Sequence, residues 1–254
     1  MRNDTLNALI LRHGDRMLQD AGWPQKISMM QIAPENMPGW LVACGSLDAA
    51  QILTLVTHLC QPLTFGKAEL LTASARRLAG TPARLHLYPV KRDAPPEHLA
   101  DAMSLHLPFA EEWLTRAECD DLLAFLRSSI DTICSIARQD AHRLAAALKP
   151  SATPRLMERG LGDWRLLADE YADDWPPVTD TDRLDAVLDA VLVRGARYCP
   201  VLLTLVNERE EEIEAEGFLA HTLIIPGDPA RRWFDRAALK NMIIGVRNGL
   251  AQDD

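Results

Sequence analysis

Aromatic side chains are scarce, 6% of 254 residues, so aliphatic side chains must fill the core, and the abundant alanine and leucine suit helix packing. Paired cysteines are missing. Cys44, Cys60, Cys119, Cys134 and Cys199 are odd in number, and none makes a C-x-x-C pair. That spacing excludes the usual zinc and redox motifs, and it predicts free thiols in a reducing compartment. No apolar run approaches the length that spans a bilayer. The opening "MRNDTLNALILRHGDR" lacks the apolar core and cleavage site of a secretory leader, so a cytoplasmic protein is expected. Positive charge is also short: the net charge is -9. Residues 101–254 carry the whole excess, with 17 basic and 28 acidic residues. An acidic body is repelled by phosphate backbones and anionic membranes, which makes nucleic acid and membrane insertion poor candidates as partners.

Motifs that announce chemistry are absent too. There is no G-x-x-x-x-G-K-[ST], no G-x-G-x-x-G, no G-x-S-x-G and no H-E-x-x-H. The seven histidines are scattered, and no repeat or low-complexity tract is found. No catalytic, cofactor-binding or metal-ligating set is therefore expected. A length of 254 residues and 48% hydrophobic content are those of a globular protein that needs no disulfides to bury its core.

What is present is periodicity. Leu6, Ile10, Met17 and Leu18 mark an N-terminal helix capped by Asn3 or Asp4. "KISMMQIA" and "GWLVACG" read as a strand pair, and "ARLHLYPV" as a third strand. Ser46 is the expected cap of the helix at 47–60, and a further helix ends at Gly80. The polar "KRDAPPEH" marks a boundary. After it, Thr115 and Glu118 have capping-box spacing, and Leu122, Leu126, Ile130, Ile133, Ala137, Ala141, Leu144 and Leu148 recur at steps of three or four. That stripe predicts a helix of roughly 45 Å. "DWRLLADEYADDW" and "DTDRLDAVLDAVLVRG" read as further helices. Another is expected from Pro200 to Gly217, with 201–206 as a buried strand if not helix. "AHTLIIPG" reads as a short strand and 235–250 as a terminal helix. The predicted class is α+β and predominantly α-helical. Residues 1–94 form a mixed α/β region with a few short strands. Residues 95–254 form a helical bundle with one long helix, packed as one unit.

The fragment "LILRHGDR" (9–16) carries an Arg-His-Gly triplet, and "QPLTFGKAELLTASARRLAG" (61–80) follows it. Both resemble the histidine phosphatase superfamily, the second its "PLT..G..QA...A..L" stretch. The resemblance implies His13 as a phosphorus nucleophile, Arg12 as its phosphate clamp and Arg76 or Arg77 as a second clamp. The family's strand before the histidine is replaced here by helical periodicity, and His221 is followed by Thr222 rather than Gly or Asp.

Two acidic groups and one basic group complete the reading. Asp169, Glu170, Asp173 and Asp174 are expected on one helix, either as a solvated face or as divalent-ion ligands. "NEREEEIEAE" is expected as an acidic helix that stays solvated or meets a basic partner. Arg231, Arg232, Trp233, Phe234, Arg236 and Lys240 join arginine to aromatics, a composition common at binding hot spots. They form the expected partner-binding segment. The function expected is a non-enzymatic protein–protein interaction subunit or adaptor of a cytoplasmic bacterial assembly. The alternatives are a phosphohydrolase using His13 and a nucleic-acid-associated factor using the C-terminal arginines.

Overall fold

A computed structural model describes residues 2–32, 40–90, 102–171, 176–207, 209, 212–234, 237, 239–241 and 244. Contacts divide the chain into two compact units. One is Ile10–Ala141, and the other joins Met1–Leu9 to His142–Asp254. The divisions fall inside two helices, α1 (Arg2–Asp20) and α4 (Arg116–Leu148). The boundary expected at 94/95 lies outside the described residues.

The first unit is built on β1 (Ser28–Ile32), β2 (Trp40–Asp48), β3 (Arg84–Pro89) and β4 (Met103–His106), an antiparallel sheet in chain order. β2 changes partner halfway. Its first half pairs with β1, from Ile32↔Trp40 to Ser28↔Cys44, and its second half with β3, from Gly45↔Leu87 to Asp48↔Arg84. The switch falls at Gly45, whose φ is 141°. A Cβ there would stand 2.2 Å from the Lys26 carbonyl oxygen, so the chain needs glycine. Alternation along β3 and β4 buries Leu85, Leu87, Met103 and Leu105. Because β2 runs on through Ser46 to pair with β3, the helix start moves from the expected Ser46 to Asp48. The Asp48 carboxylate accepts from Gln51 N at 2.9 Å, and Gln51 Oε1 accepts from Asp48 N at 3.1 Å. This box opens α2 (Ala49–Leu59), which α3 (Phe65–Leu78) follows.

α4 is 33 residues long, and its stripe from Leu122 to Leu148 is buried throughout. Within the first unit it is tied to the sheet and to the turn that precedes β1. Trp23 Nε1 donates to Ser129 Oγ at 3.3 Å, and Cys134 Sγ lies 4.0 Å from Met29 Sδ. Arg127 Nη1 donates to the Met103 carbonyl at 3.0 Å.

The second unit holds the main departure from the predicted helical bundle. β5 (Arg155–Leu161), β6 (Trp164–Glu170), β7 (Arg197–Asn207) and β8 (Ile213–Ile224) form a second four-stranded antiparallel sheet, with α5 (Thr181–Arg194) between β6 and β7. The fold is a mixed α+β one, not predominantly helical. The helix predicted at 163–175 is β6 as far as Glu170, and residues 172–175 lie outside the described ones. The helix predicted from Pro200 to Gly217 is parts of two strands, so strand holds at 201–206. Leu, Ala and Glu favour helices in isolation, but sheet pairing overrides propensity when a period-two apolar face has a partner. Leu166 and Ala168 stand opposite Leu205 and Leu203 on one face, and all four are buried. β7 itself is buried on both faces, which is why its apolar run shows no period. Among the described residues no helix is long and apolar enough to cross a membrane.

Candidate functional site

The Arg-His-Gly triplet lies on α1, not after a strand. His13 Nε2 is 3.0 Å from Asp140 Oδ2 on α4, and both side chains are mostly buried. Gly14 is needed for contact. A Cβ there would stand 2.6 Å from Met29 Cγ, where α1 lies against β1. The Asp15 carboxylate accepts the Met29 N–H at 2.7 Å, and burial raises its pKa above the usual carboxylate range. Helix packing thus accounts for His13, Gly14 and Asp15. His221 sits on β8 in the second unit, with Nδ1 2.6 Å from the Tyr198 hydroxyl. Burial lowers the His221 pKa and raises that of Tyr198. Of the arginines suggested as clamps, Arg77 at the end of α3 donates to Glu118 and to Ser74, and Arg76 stands exposed in the last turn of the same helix.

The acidic group at 169–174 is not a helix face. Asp169 and Glu170 are neighbours on β6 and point to opposite faces. Asp169 pairs with Arg155 at 2.5 Å. Glu170 is buried, with Oε2 2.7 Å from Arg197 Nη2 and 3.1 Å from Ser151 N, while its Oε1 has no hydrogen-bond partner among the described residues. Asp173 and Asp174 lie outside the described residues. The expected acidic helix at 208–216 is strand from 213 onward: Glu214 and Glu216 lie on β8, Glu212 immediately precedes it, and residues 208, 210 and 211 lie outside the described ones.

The basic-aromatic segment divides. Phe234 is 5% exposed and packs with Ala168, Cys199, Val201 and Leu203, so it is a core residue of its own unit and not part of a free surface. Trp233 and Leu239 pack partly on the same cluster. Arg232 is exposed, 3.4 Å from Asp228, and Lys240 is exposed. The Arg231 side chain and Arg236 lie outside the described residues.

The groove that stands out was not found in the sequence. Leu70, Leu71 and Ser74 of α3 face Glu118, Asp121 and Phe125 of α4 across a cavity of about 370 Å³. Leu70 is 73% exposed and Phe65, at the start of α3, 82%. Single apolar side chains in water are ordinary, but a groove that groups them marks a surface for interaction. One end of the groove is fixed by the predicted capping box. Thr115 N and Oγ donate to Glu118 Oε2 at 2.9 and 2.8 Å, and Arg77 donates to Oε1. Arg77, then Thr115, hold the Glu118 pKa down at about 2, so this carboxylate stays charged. Along α4 the surface continues past Ser128 to Thr132 and Ile136. There burial raises the Asp131 pKa, and its Oδ1 has no hydrogen-bond partner among the described residues. The exposed apolar residues on α3 stand at no clean helical period, so only the position of α4 reveals the groove. Among the described residues no three His, Cys, Asp or Glu side chains are placed to hold a metal ion.

Residues 3–144 match the family model described as the N-terminal domain of YubG, and residues 153–252 match that of its C-terminal domain. No solved structure matches the chain.

Proposed function

The chain belongs to the YubG family over both domains, and we propose that it works as a non-enzymatic interaction subunit or adaptor of a cytoplasmic bacterial multi-protein assembly. The observation that carries this reading is the α3–α4 groove, with Leu70 left in water beside a charged rim. Burying a leucine or phenylalanine side chain contributes about 1.5–3 kcal/mol, and in the isolated chain that gain is not taken. A rim of Lys67, Glu118 and Asp121 around an apolar floor is the usual make-up of a binding patch. His13, the alternative nucleophile, is engaged with Asp140 between two packed helices. That arrangement favours a structural role over phosphoryl transfer.

The test is a native purification compared with Leu70→Asp. A stoichiometric partner should accompany the wild type and be lost from the variant, with helical signal unchanged. Identical companions in both preparations, or a lone chain in each, would sink the reading.

A further inference from the structure

We infer that the outer edge of β8 accepts an extended, lysine- or arginine-bearing segment of another protein as a fifth strand of the second sheet. The inference does not rest on the α3–α4 groove, which belongs to the other unit, so either can fail alone.

A sheet edge presents unpaired N–H and C=O groups, and folded proteins blunt such edges. Three of the four edges among the described residues are blunted. On β1 the Asp15 carboxylate takes the Met29 N–H, and on β4 Arg127 takes the Met103 carbonyl. β5 has only seven residues, and charges on it are tied up in ion pairs, Arg155 with Glu158 and Asp169, and Glu158 with Arg165. β8 has twelve residues and ends the strand order of its sheet, and between two shifts in its register against β7, at Cys199/Val201 and Leu205/Val206, it keeps a regular run from Ala215 to Leu219. Ile213 and Phe218 on it are 61% and 45% exposed.

The register shows which groups are open. The Tyr171 N–H donates to the Pro200 carbonyl, so even-numbered residues of β7 face β6 and odd-numbered ones face β8. Val201, Leu203 and Leu205 therefore bond across to Leu219, Gly217 and Ala215. Between them Glu216 and Phe218 turn their main-chain groups outward, and no described residue meets these. An extended backbone is the partner whose donors and acceptors repeat at the same interval.

Charge selects the kind of strand. Glu214, Glu216 and Phe218 share one face, while Leu219 and Ala215 on the other pack on the core. Asn207 Nδ2 donates to Glu214 Oε1 at 3.2 Å, and the exposed Glu216 has no partner among the described residues. An incoming strand with Lys or Arg at alternate positions places cations opposite these carboxylates, and such cross-strand pairs are stabilising. A second copy of this chain brings the same glutamates instead, and like charges near a shared edge are unfavourable.

The probe is a twelve-residue peptide alternating lysine with threonine, titrated into the full chain. Its control has the same composition with the lysines in one block, which keeps the charge and destroys the alternation. The alternating peptide should bind at least tenfold more tightly than the block. Glu214→Gln with Glu216→Gln should weaken it about tenfold. Glu216→Pro should weaken it further, because it also removes an outward N–H that makes no bond within the sheet. Circular dichroism of each variant checks that the sheet is intact, and the glutamine pair keeps the test open if the proline disturbs folding. Equal binding of the two peptides, indifference to both variants, or no binding up to about 1 mM overturns the inference. So does self-association of the chain that Glu216→Pro abolishes, because the occupant is then a second copy.

Discussion

Glu170 is the residue whose replacement carries the clearest cost. Its buried carboxylate holds Arg197 and the Ser151 N–H. Breaking a buried pair from one side strands the other charge, at about 3–5 kcal/mol. The Arg197 side chain is one-third exposed, so water recovers part of that, and Glu170→Ala should cost about 2 kcal/mol by urea denaturation. A loss under 0.5 kcal/mol would mean that water already serves both groups. His221 gives a pH dependence. Burial lowers its pKa below the ordinary 6.5, so below that pH the unfolded chain binds a proton that the folded one resists. Stability from this group is complete above about 6.5 and falls as pH drops toward the folded value. Denaturation midpoints from pH 7.5 to 5 should fall less in Tyr198→Phe/His221→Leu than in the wild type. His13 takes the opposite kind of test: the wild type should hydrolyse phosphomonoesters no faster than background. A labelled phosphoenzyme trapped on His13 would restore the phosphatase alternative.

At the scale of elements, α4 and the second hairpin teach different lessons. The α4 stripe was legible because apolar residues at steps of three and four need no partner to be recognised. Ile130 is fully buried in it. Ile130→Asp should cost about 3 kcal/mol or more, because a charge enters an apolar seam. Ser135→Asp, on the exposed side, should stay within about 0.5 kcal/mol by the same thermal unfolding measurement. The hairpin of β5 and β6 was legible only in its turn. Gly162 and Asp163 separate Leu161 from Trp164 across a paired register, and Gly-Asp between strand-like runs is a hairpin signal. Helix-favouring Leu, Ala, Asp and Glu in 163–175 masked it. β8 was masked in the same way by its glutamates, which hid an alternation of apolar Ala215 and Leu219 with Glu214, Glu216 and Phe218.

On the scale of the whole molecule, the matched domains and the compact units do not share boundaries. The C-terminal match begins at 153, but the unit that contains it also takes Met1–Leu9 and the stretch from His142. Specific bonds tie those pieces in. Arg143 Nη2 donates to the Leu192 carbonyl at 2.6 Å, Arg197 Nη2 to the Lys149 carbonyl at 3.3 Å, and Ser151 N to Glu170. The fully buried Thr5 accepts from Val178 N at 3.4 Å. A fragment of 153–254 should therefore melt earlier and less cooperatively than one of 142–254, and adding a peptide of residues 1–20 should raise the stability of the longer fragment. Equal melting of both fragments would show that the family boundary is also the folding boundary.

By itself the sequence determined what local chemistry can encode. It marked the long α4 stripe, the Thr115–Glu118 capping box, the first three strands and the want of any motif for nucleotide, metal or redox chemistry. Tertiary structure decided the rest, because strand pairing and grooves are made by residues far apart in the chain. Residues 201–206, apolar except for Thr204, became a strand because β6 and β8 flank them. Phe234 left the partner surface because the second sheet offered it a core. Leu70 and Phe125, 55 positions apart, became one surface only when α3 and α4 came together.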